Sequence, residues 1–431
     1  MKKLLIRNVR VIDPEVKRDE VADILIEGDR IADIKPDIAC EDACVIDRSG
    51  CIAVPGLVDV HVHLREPGQE YKETIATGTA AACHGGFTDI CSMPNTTPTT
   101  DCAAVIDYVL EKAREAGHCR VHPSGACTKG LQGDQLAEIG DIVAHGAVAF
   151  TDDGRGVQSA GMMRRVMDYT KMFDKVVMSH CQDEALVGPG VVNEGVVSTR
   201  LGMAGWPAAG EELQIQRDIA LSELTGCPIH IQHITSARGV ELVHEGKARG
   251  VKVTCEATPH HIALNEDDLT TTYDTNLKMN PPLRTKEDNA AIIQGIKDGT
   301  IDCIVTDHAP HAAHEKAREF ELAPFGMTGL ETSLGVILTY LVHPGHIDYN
   351  RLVELMAIRP REILRLDQVR LEPGGAADIT IFDPDEKWTV TADDMCSKAK
   401  NSGFLGYELT GRPKDTIVGG AFTCKDGVVV D

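Results

Sequence analysis

The sequence predicts an α/β protein: a (β/α)8 TIM-type barrel with a small composite β-domain formed by both chain termini. Three observations predict it. Eight short apolar stretches each run into polar residues, Gly/Ala-rich helical stretches separate them, and strand-like runs occupy both ends of the chain. With 431 residues, there is enough chain for a large barrel and a satellite domain.

The terminal runs come first. "LLIRNVRVID" and "ADILIEGDRIADI" lie within the first 50 residues, the second turning at "EGDR". After about residue 370 the pattern returns in "ADITIFD", "WTVT" and "DTIVGGAFTCKDGVVV", where "KDG" predicts a hairpin turn. These pieces predict one β-domain from residues 1–54 and 367–431, with residues 55–366 forming the catalytic barrel between them. The eight barrel stretches are "LVDVHVHLRE", "FTDICSMPN", "RVHPSGACT", "AVAFTDD", "VVMSHCQD", "PIHIQHITS", "KVTCEATPHH" and "CIVTDHAPH". Helices are expected between them, for example at "AAVIDYVLEKAREAG" and "ELQIQRDIALSELTG". A doubly wound open sheet is the alternative. The barrel is favoured because the polar residues gather at the C-terminal ends of the strands, where such barrels build their sites.

Composition narrows the function. The net charge is −23, from 43 basic and 66 acidic residues, and no Lys/Arg block occurs, which disfavours nucleic-acid or anionic-membrane partners. No apolar run reaches about 18 residues, and the basic start is broken by Arg7, Asn8 and Arg10, so neither a spanning helix nor a signal peptide is expected. The 14 cysteines show no CxxC spacing and predict buried thiols in a reducing cytoplasm.

Chemistry concentrates at the strand ends. In "VDVHVHLRE" the strand period of two puts Asp59, His61 and His63 on one face, with Arg65 following. The valine face is expected to pack outward against the helices and the histidine face to point into the barrel. The two histidine Cα atoms should lie roughly 6.5 Å apart, close enough to converge on one cation. His180, His233 and Asp307 end the fifth, sixth and eighth stretches, and Thr151–Asp153, "TDD", ends the fourth. Four histidines and two carboxylates suit two borderline divalent ions such as zinc. A shared anionic ligand is also needed, and strand parity leaves Asp152 and Asp153 both open for it. His84, His118, His145, His230, His244, His314, His343 and His346 are read as helix, loop or barrel-wall residues, while His260 and His261 end the seventh stretch near the substrate side.

Together "PGLVDVHVHLREPG", "MPNT", "FTDDG", "KMNPPLR", "TDHAPH" and "PFGMTGLE" resemble the dihydroorotase family, the longer bacterial type within the amidohydrolase superfamily. The resemblance covers nearly the whole chain. It implies one zinc on His61, His63, Asp153 and Asp307, and a second on Asp153, His180 and His233, with Asp153 bridging. It implies Asp307 as catalytic acid/base. Arg65, Asn95 and His311 would grip the substrate α-carboxylate and neighbouring oxygens, with His63, Asn280 and the backbone of Phe325 and Gly326 as further contacts.

The activity implied is the reversible cyclisation of N-carbamoyl-L-aspartate to L-dihydroorotate in pyrimidine synthesis, through a hydroxide bridging the two zinc ions. Hydantoinases, dihydropyrimidinases and allantoinases, the relatives that would be the alternative, carry a carboxylated lysine as bridge. The fourth stretch offers "AVAFTDDG" and no lysine. Their neutral substrates also have no carboxylate for an arginine after HxH to hold. A non-catalytic barrel scaffolding aspartate transcarbamoylase is a further alternative, weighed down by the presence of every metal ligand. The partners expected are the small-molecule substrate, a second copy in a homodimer, and an association with aspartate transcarbamoylase.

Overall fold

Two sheets share the chain, one from its ends and one from its middle. The computed structural model describes residues 3–430. The first sheet begins with β1 (Lys3–Asp13), β2 (Arg18–Glu27), β3 (Arg30–Lys35), β4 (Ala43–Asp47) and β5 (Ile52–Pro55). The barrel strands follow: β6 (Leu57–Val62), β7 (Phe87–Ser92), β8 (Arg120–Gly125), β9 (Ala149–Phe150) and β10 (Val176–Ser179). A short pair, β11 (Val192–Asn193) and β12 (Gly205–Trp206), precedes the last barrel strands, β13 (Ile229–Ile231), β14 (Val253–Ala257) and β15 (Cys303–Ile304). The chain returns to the first sheet with β16 (Ile379–Thr389), β17 (Glu408–Val418), β18 (Ala421–Lys425) and β19 (Val428–Val429).

In the terminal sheet the order is β19-β18-β17-β16-β5-β1-β2-β3, with β4 also on β1. The two chain ends meet where β5 pairs antiparallel with β16, Pro55 opposite Ile379 and Ile52 opposite Phe382. Ile6, Val9, Val11, Ile24, Ile379 and Ile417 form its buried core. The "KDG" turn closes β18 on β19 with Asp426 and Gly427 at φ 52° and 73°, as a two-residue turn with both centres left-handed requires. "ADITIFD" and "WTVT" form one long strand where two runs were expected. The register shifts between Asp383 and Lys387, around Pro384, which has no N–H for the ladder.

The barrel strands run in the parallel order β15-β14-β13-β10-β9-β8-β7-β6, and a parallel bridge from Val62 to His308 brings the segment after β15 back to β6. The predicted helices form at Ala103–Ala116 and Ala209–Thr225, each ending on a left-handed glycine, Gly117 and Gly226. Among the described residues no helix is long and apolar enough to cross a membrane. The described cysteines form no disulfide, and most are buried.

One expectation fails. β6 is not a single alternating strand, because its register against β7 shifts between Asp59 and Val62. Val58 and Val60 cluster with Cys91, Met178, Cys303 and Val305. Those residues come from strands around the whole ring, so only the inside of the barrel can bring them together. Val62 and Leu64 instead join the outer core with Ile75 and Phe87. The irregularity switches the face, so inward valines give way to inward histidines. Asp59 fills the break: its carboxylate accepts the backbone N–H of His61 and of Thr306, both at 2.9 Å. Burial pushes that carboxyl up to about 7, against those hydrogen bonds.

Candidate active site

Six side chains converge where the barrel strands end. His61 leaves β6, Asp153 follows β9, His180 follows β10, His233 follows β13 and Asp307 follows β15. The Nε2 of His61 lies 3.3 Å from Asp153 and 3.5 Å from Asp307. The Nε2 of His63 lies 3.1 Å from Asp307 and 3.4 Å from Asp153. His180 Nδ1 and His233 Nε2 approach Asp153 at 3.4 and 3.7 Å and each other at 2.8 Å.

The neighbouring Asp152 points elsewhere. It accepts the backbone N–H of Thr128 at 3.0 Å and the Thr128 hydroxyl. Burial raises its carboxyl to about 6, against those bonds.

The cluster fits metal ions. The fully buried His61 Nε2 has no hydrogen-bond partner, although such atoms are nearly always satisfied. His61, His63 and Asp307 present their donor atoms within 4.8 Å of one another, and so do His61, Asp153 and His233. All are imidazole nitrogens and carboxylate oxygens, the donors borderline divalent ions take. Burial alone would lower the His61 imidazole, but the carboxylates of Asp153, Glu256 and Asp307 hold it well above its ordinary range. Burial would also raise Asp153 and Asp307, but His61 and the neighbouring imidazoles outweigh it and hold both below the usual carboxylate range.

A second layer aims the imidazoles. Asn95 Oδ1 meets His63 Nδ1 at 2.9 Å, leaving Nε2 for the centre. Gln182 Oε1 meets His180 Nε2 at 2.8 Å and accepts from Asn280 at 3.1 Å. Glu256, on β14, was not picked out from the sequence. Its carboxylate meets His61 Nδ1 at 2.6 Å and His230 Nε2 at 2.9 Å, and accepts the backbone N–H of His233 at 3.1 Å. Burial would raise this carboxyl, but His61 and His230 hold it down at about 2. His260 is buried nearby with an unpartnered Nε2, and burial lowers its imidazole to about 4.

Above the cluster opens a cavity of about 300 Å³. His63, Arg65, Asn95, Asn280, His311, Phe325 and Gly326 all line it, together with Asp153, His180, His233 and Asp307, while His61 lies beneath the floor. Arg65 is 8% exposed, and among the described residues no acidic side chain makes an ion pair with it. Its Nε donates to the Pro310 carbonyl at 3.2 Å and its Nη2 reaches His311 Nε2 at 3.4 Å, so part of the guanidinium fork faces the cavity. The same His311 Nε2 donates to the Phe325 carbonyl at 2.8 Å, so it has no lone pair for the guanidinium and the two groups are neighbours without a hydrogen bond.

Two buried lysines, also unforeseen, shape the Phe325 loop. Lys278 Nζ donates to the carbonyls of Glu321 and Ala323 and lies 4.5 Å over the Phe325 ring. Lys316 Nζ donates to the carbonyls of Thr275 and Pro324. Burial lowers the two ammonium groups to about 8 and about 7. The trace of Lys278 in the sequence is the lysine opening "KMNPPLR", which carried no role of its own there, and Lys316 left none.

Arg65, His233 and Asp307 sit at φ 61°, 31° and 47°. Left-handed backbone at a residue other than glycine costs about 1–3 kcal/mol and persists where the surroundings impose it. Three such residues in one site mark it as built for function rather than for stability.

Comparison with known proteins follows the same lines. A family model described as dihydro-orotase-like matches residues 50–239. The dihydroorotases of Acetivibrio thermocellus and Pelotomaculum thermopropionicum are 47% and 48% identical to this chain over 427 residues, covering 99% of it and 100% of each relative. That of Geobacter metallireducens is 48% identical over 98% of this chain and 99% of its own. Among solved structures, the L-hydantoinase (dihydropyrimidinase) from Arthrobacter aurescens superimposes with a TM-score of 0.89 at 26% identity, covering 100% of this chain and 98% of that one. The D-hydantoinase (dihydropyrimidinase) from a Thermus species gives 0.84 at 26% identity, over 99% and 96%.

Proposed function

The chain belongs to the dihydroorotase family, and on that premise we propose that it interconverts N-carbamoyl-L-aspartate and L-dihydroorotate at the cavity above the histidine–aspartate cluster. The observation that carries the reading is Arg65: a buried guanidinium without an acidic partner, facing a cavity beside a metal-type cluster. An uncompensated buried charge is costly unless a ligand supplies its counter-ion. Dihydroorotate has the carboxylate to do so, whereas hydantoin and dihydrouracil do not.

Two zinc ions per chain would be held by His61, His63, Asp153 and Asp307, and by Asp153, His180 and His233. When bound, they would polarise the amide carbonyl and make a water molecule nucleophilic at neutral pH. The protein's own groups do the rest. Arg65 and His311 hold the α-carboxylate, and Asn95 a neighbouring oxygen. Asn280 and the backbone of Phe325 and Gly326 orient the ring. Asp307 takes the proton of the attacking water and delivers it to the departing ring nitrogen. Ring closure runs the same transfers backward. The site is set in a cytoplasmic enzyme; a homodimer and docking to aspartate transcarbamoylase belong to the same proposal.

The direct test is hydrolysis of dihydroorotate against hydantoin and dihydrouracil by the purified chain, with metal counted in the same samples. Preference for either neutral ring would overturn the proposal. Arg65→Met should lower kcat/KM by about one to two decades, the equivalent of 1.5–3 kcal/mol for a charge-assisted hydrogen-bond pair, with metal content unchanged. Arg65→Lys should recover only part, because a point charge cannot reproduce the fork. Steady-state kinetics on dihydroorotate decide it; wild-type behaviour of Arg65→Met would remove the carboxylate clamp.

Glu256→Gln should weaken metal binding by about 10–100-fold, since the carboxylate orients His61 and braces the His233 backbone. Competition with a chelator measures it, and unchanged affinity would relegate Glu256 to packing.

A further inference from the structure

The wall beside Arg65 is built from two loops, Ala309–His311 after β15 and Pro324–Gly326. A backbone bond from Ala309 N–H to the Met327 carbonyl, 2.8 Å, joins them directly. The His311 ring adds a bond to the Phe325 carbonyl at 2.8 Å, and a further link comes from outside the barrel. Between β16 and β17 the chain leaves the terminal sheet for residues 390–407, and Asn401 lies on this excursion. The residue is 5% exposed. Its carboxamide oxygen accepts the His311 N–H at 3.0 Å, and its amide nitrogen donates to the carbonyls of Ala309 and Gly326, both at 3.1 Å. Its backbone carbonyl accepts the Thr328 N–H at 3.0 Å.

We infer that Asn401 is a positioning residue for the carboxylate-binding wall: reaching in from outside the barrel, it ties the backbone of the His311 loop to that of the Gly326 loop, beside the His311–Phe325 bond, and so sets both relative to Arg65. An inference of this kind rests on the dihydroorotase reading above. Arg65 takes its backbone anchor from the Pro310 carbonyl and its ring neighbour from His311, so a shift of residues 309–311 moves both partners of the clamp. Asparagine alone offers an acceptor and a forked donor on one short side chain. Aspartate would set a second oxygen against two carbonyl oxygens. The two loops approach closely here: a Cβ on Gly326, whose φ is +114°, would lie 2.6 Å from the Ala309 side chain. The excursion is itself held. The Lys398 N–H donates to Glu73 at 3.1 Å, the Ser397 hydroxyl also donates to Glu73, and Glu73 meets His308 at 3.4 Å.

Asn401→Asp and Asn401→Ser test the inference, each measured for kcat, KM, zinc content and thermal midpoint with dihydroorotate. The expected result is a KM raised about tenfold or more with kcat within about threefold and zinc unchanged, the pattern of a lost binding interaction. In an Arg65→Met background, either variant should cost less than about threefold more, because both changes act on one carboxylate. A KM at the wild-type value in both variants would overturn the inference. So would losses that multiply in full with Arg65→Met, which would mean that Asn401 supports the fold at large. The serine variant guards against the new charge of the aspartate acting on its own. If the wild-type chain opened neutral rings and not dihydroorotate, the function proposed above would fail instead, whatever Asn401 does.

Discussion

Asp307→Asn is expected to fold, keep most of its metal and lose about two to four decades of rate in both directions, the usual span for a missing acid/base. The amide keeps the shape and an oxygen donor but cannot carry a proton. Asp307 is placed for the shuttle: its carboxylate is 3.1 Å from His63 and lines the cavity, and the surrounding imidazoles, against burial, keep it ionised. Carbamoylaspartate carries two carboxylates and dihydroorotate one, so ring closure consumes a proton. Each pH unit therefore moves the apparent equilibrium tenfold, about 1.4 kcal/mol, with acid favouring the ring. A catalyst cannot move that equilibrium. The losses in kcat/KM must accordingly be equal in the two directions at any one pH. Rates measured both ways at one intermediate pH, with zinc counted, test the role, and a metal-replete variant with near-normal rates would remove it.

Asp153→Ala is expected to take metal content well below two per chain and abolish turnover. Asp153 is approached by the nitrogens of all four histidines, at 3.3 to 3.7 Å, and among the described residues no other carboxylate is approached by all four. Asp152 is engaged by Thr128, and the fourth stretch has no lysine. Metal analysis after exhaustive dialysis, followed by an assay with added zinc, makes the comparison. Two tightly held ions with normal activity would show that the shared ligand lies elsewhere, with Asp152 the first suspect.

Much of this was legible in the sequence because the barrel repeats itself. Each strand delivers its polar residue at its C-terminal end, so His61, His180, His233 and Asp307 could be matched to strand ends without knowing the packing. Parity failed where the backbone stopped being a strand. β9 ends at Phe150, so "TDD" lies in a turn where alternation says nothing, and Asp152 and Asp153 could not be separated. The register shift in β6 inverted the valine face for the same reason. Glu256, Lys316 and Asn401 left no local signal. A glutamate within a strand, a lysine beside a loop and an asparagine in a long connection read as ordinary until the fold brings each to its partners. The left-handed backbone at Arg65, His233 and Asp307 was equally invisible, since tertiary packing imposes it.

The seam between β5 and β16 bears on how the enzyme is made. Ribosomes release domains from the N-terminus at roughly 5–20 residues per second. By residue 307 every metal-ligand candidate has emerged, yet β5 still shows an open edge whose partner begins only at Ile379. An unpaired edge of that kind invites pairing with other chains. A nascent chain at that stage also lacks the Asn401 strap. The candidate ligands are thereby synthesised well before the segment that braces the wall beside Arg65: the same late stretch of chain that covers the β5 edge also carries Asn401.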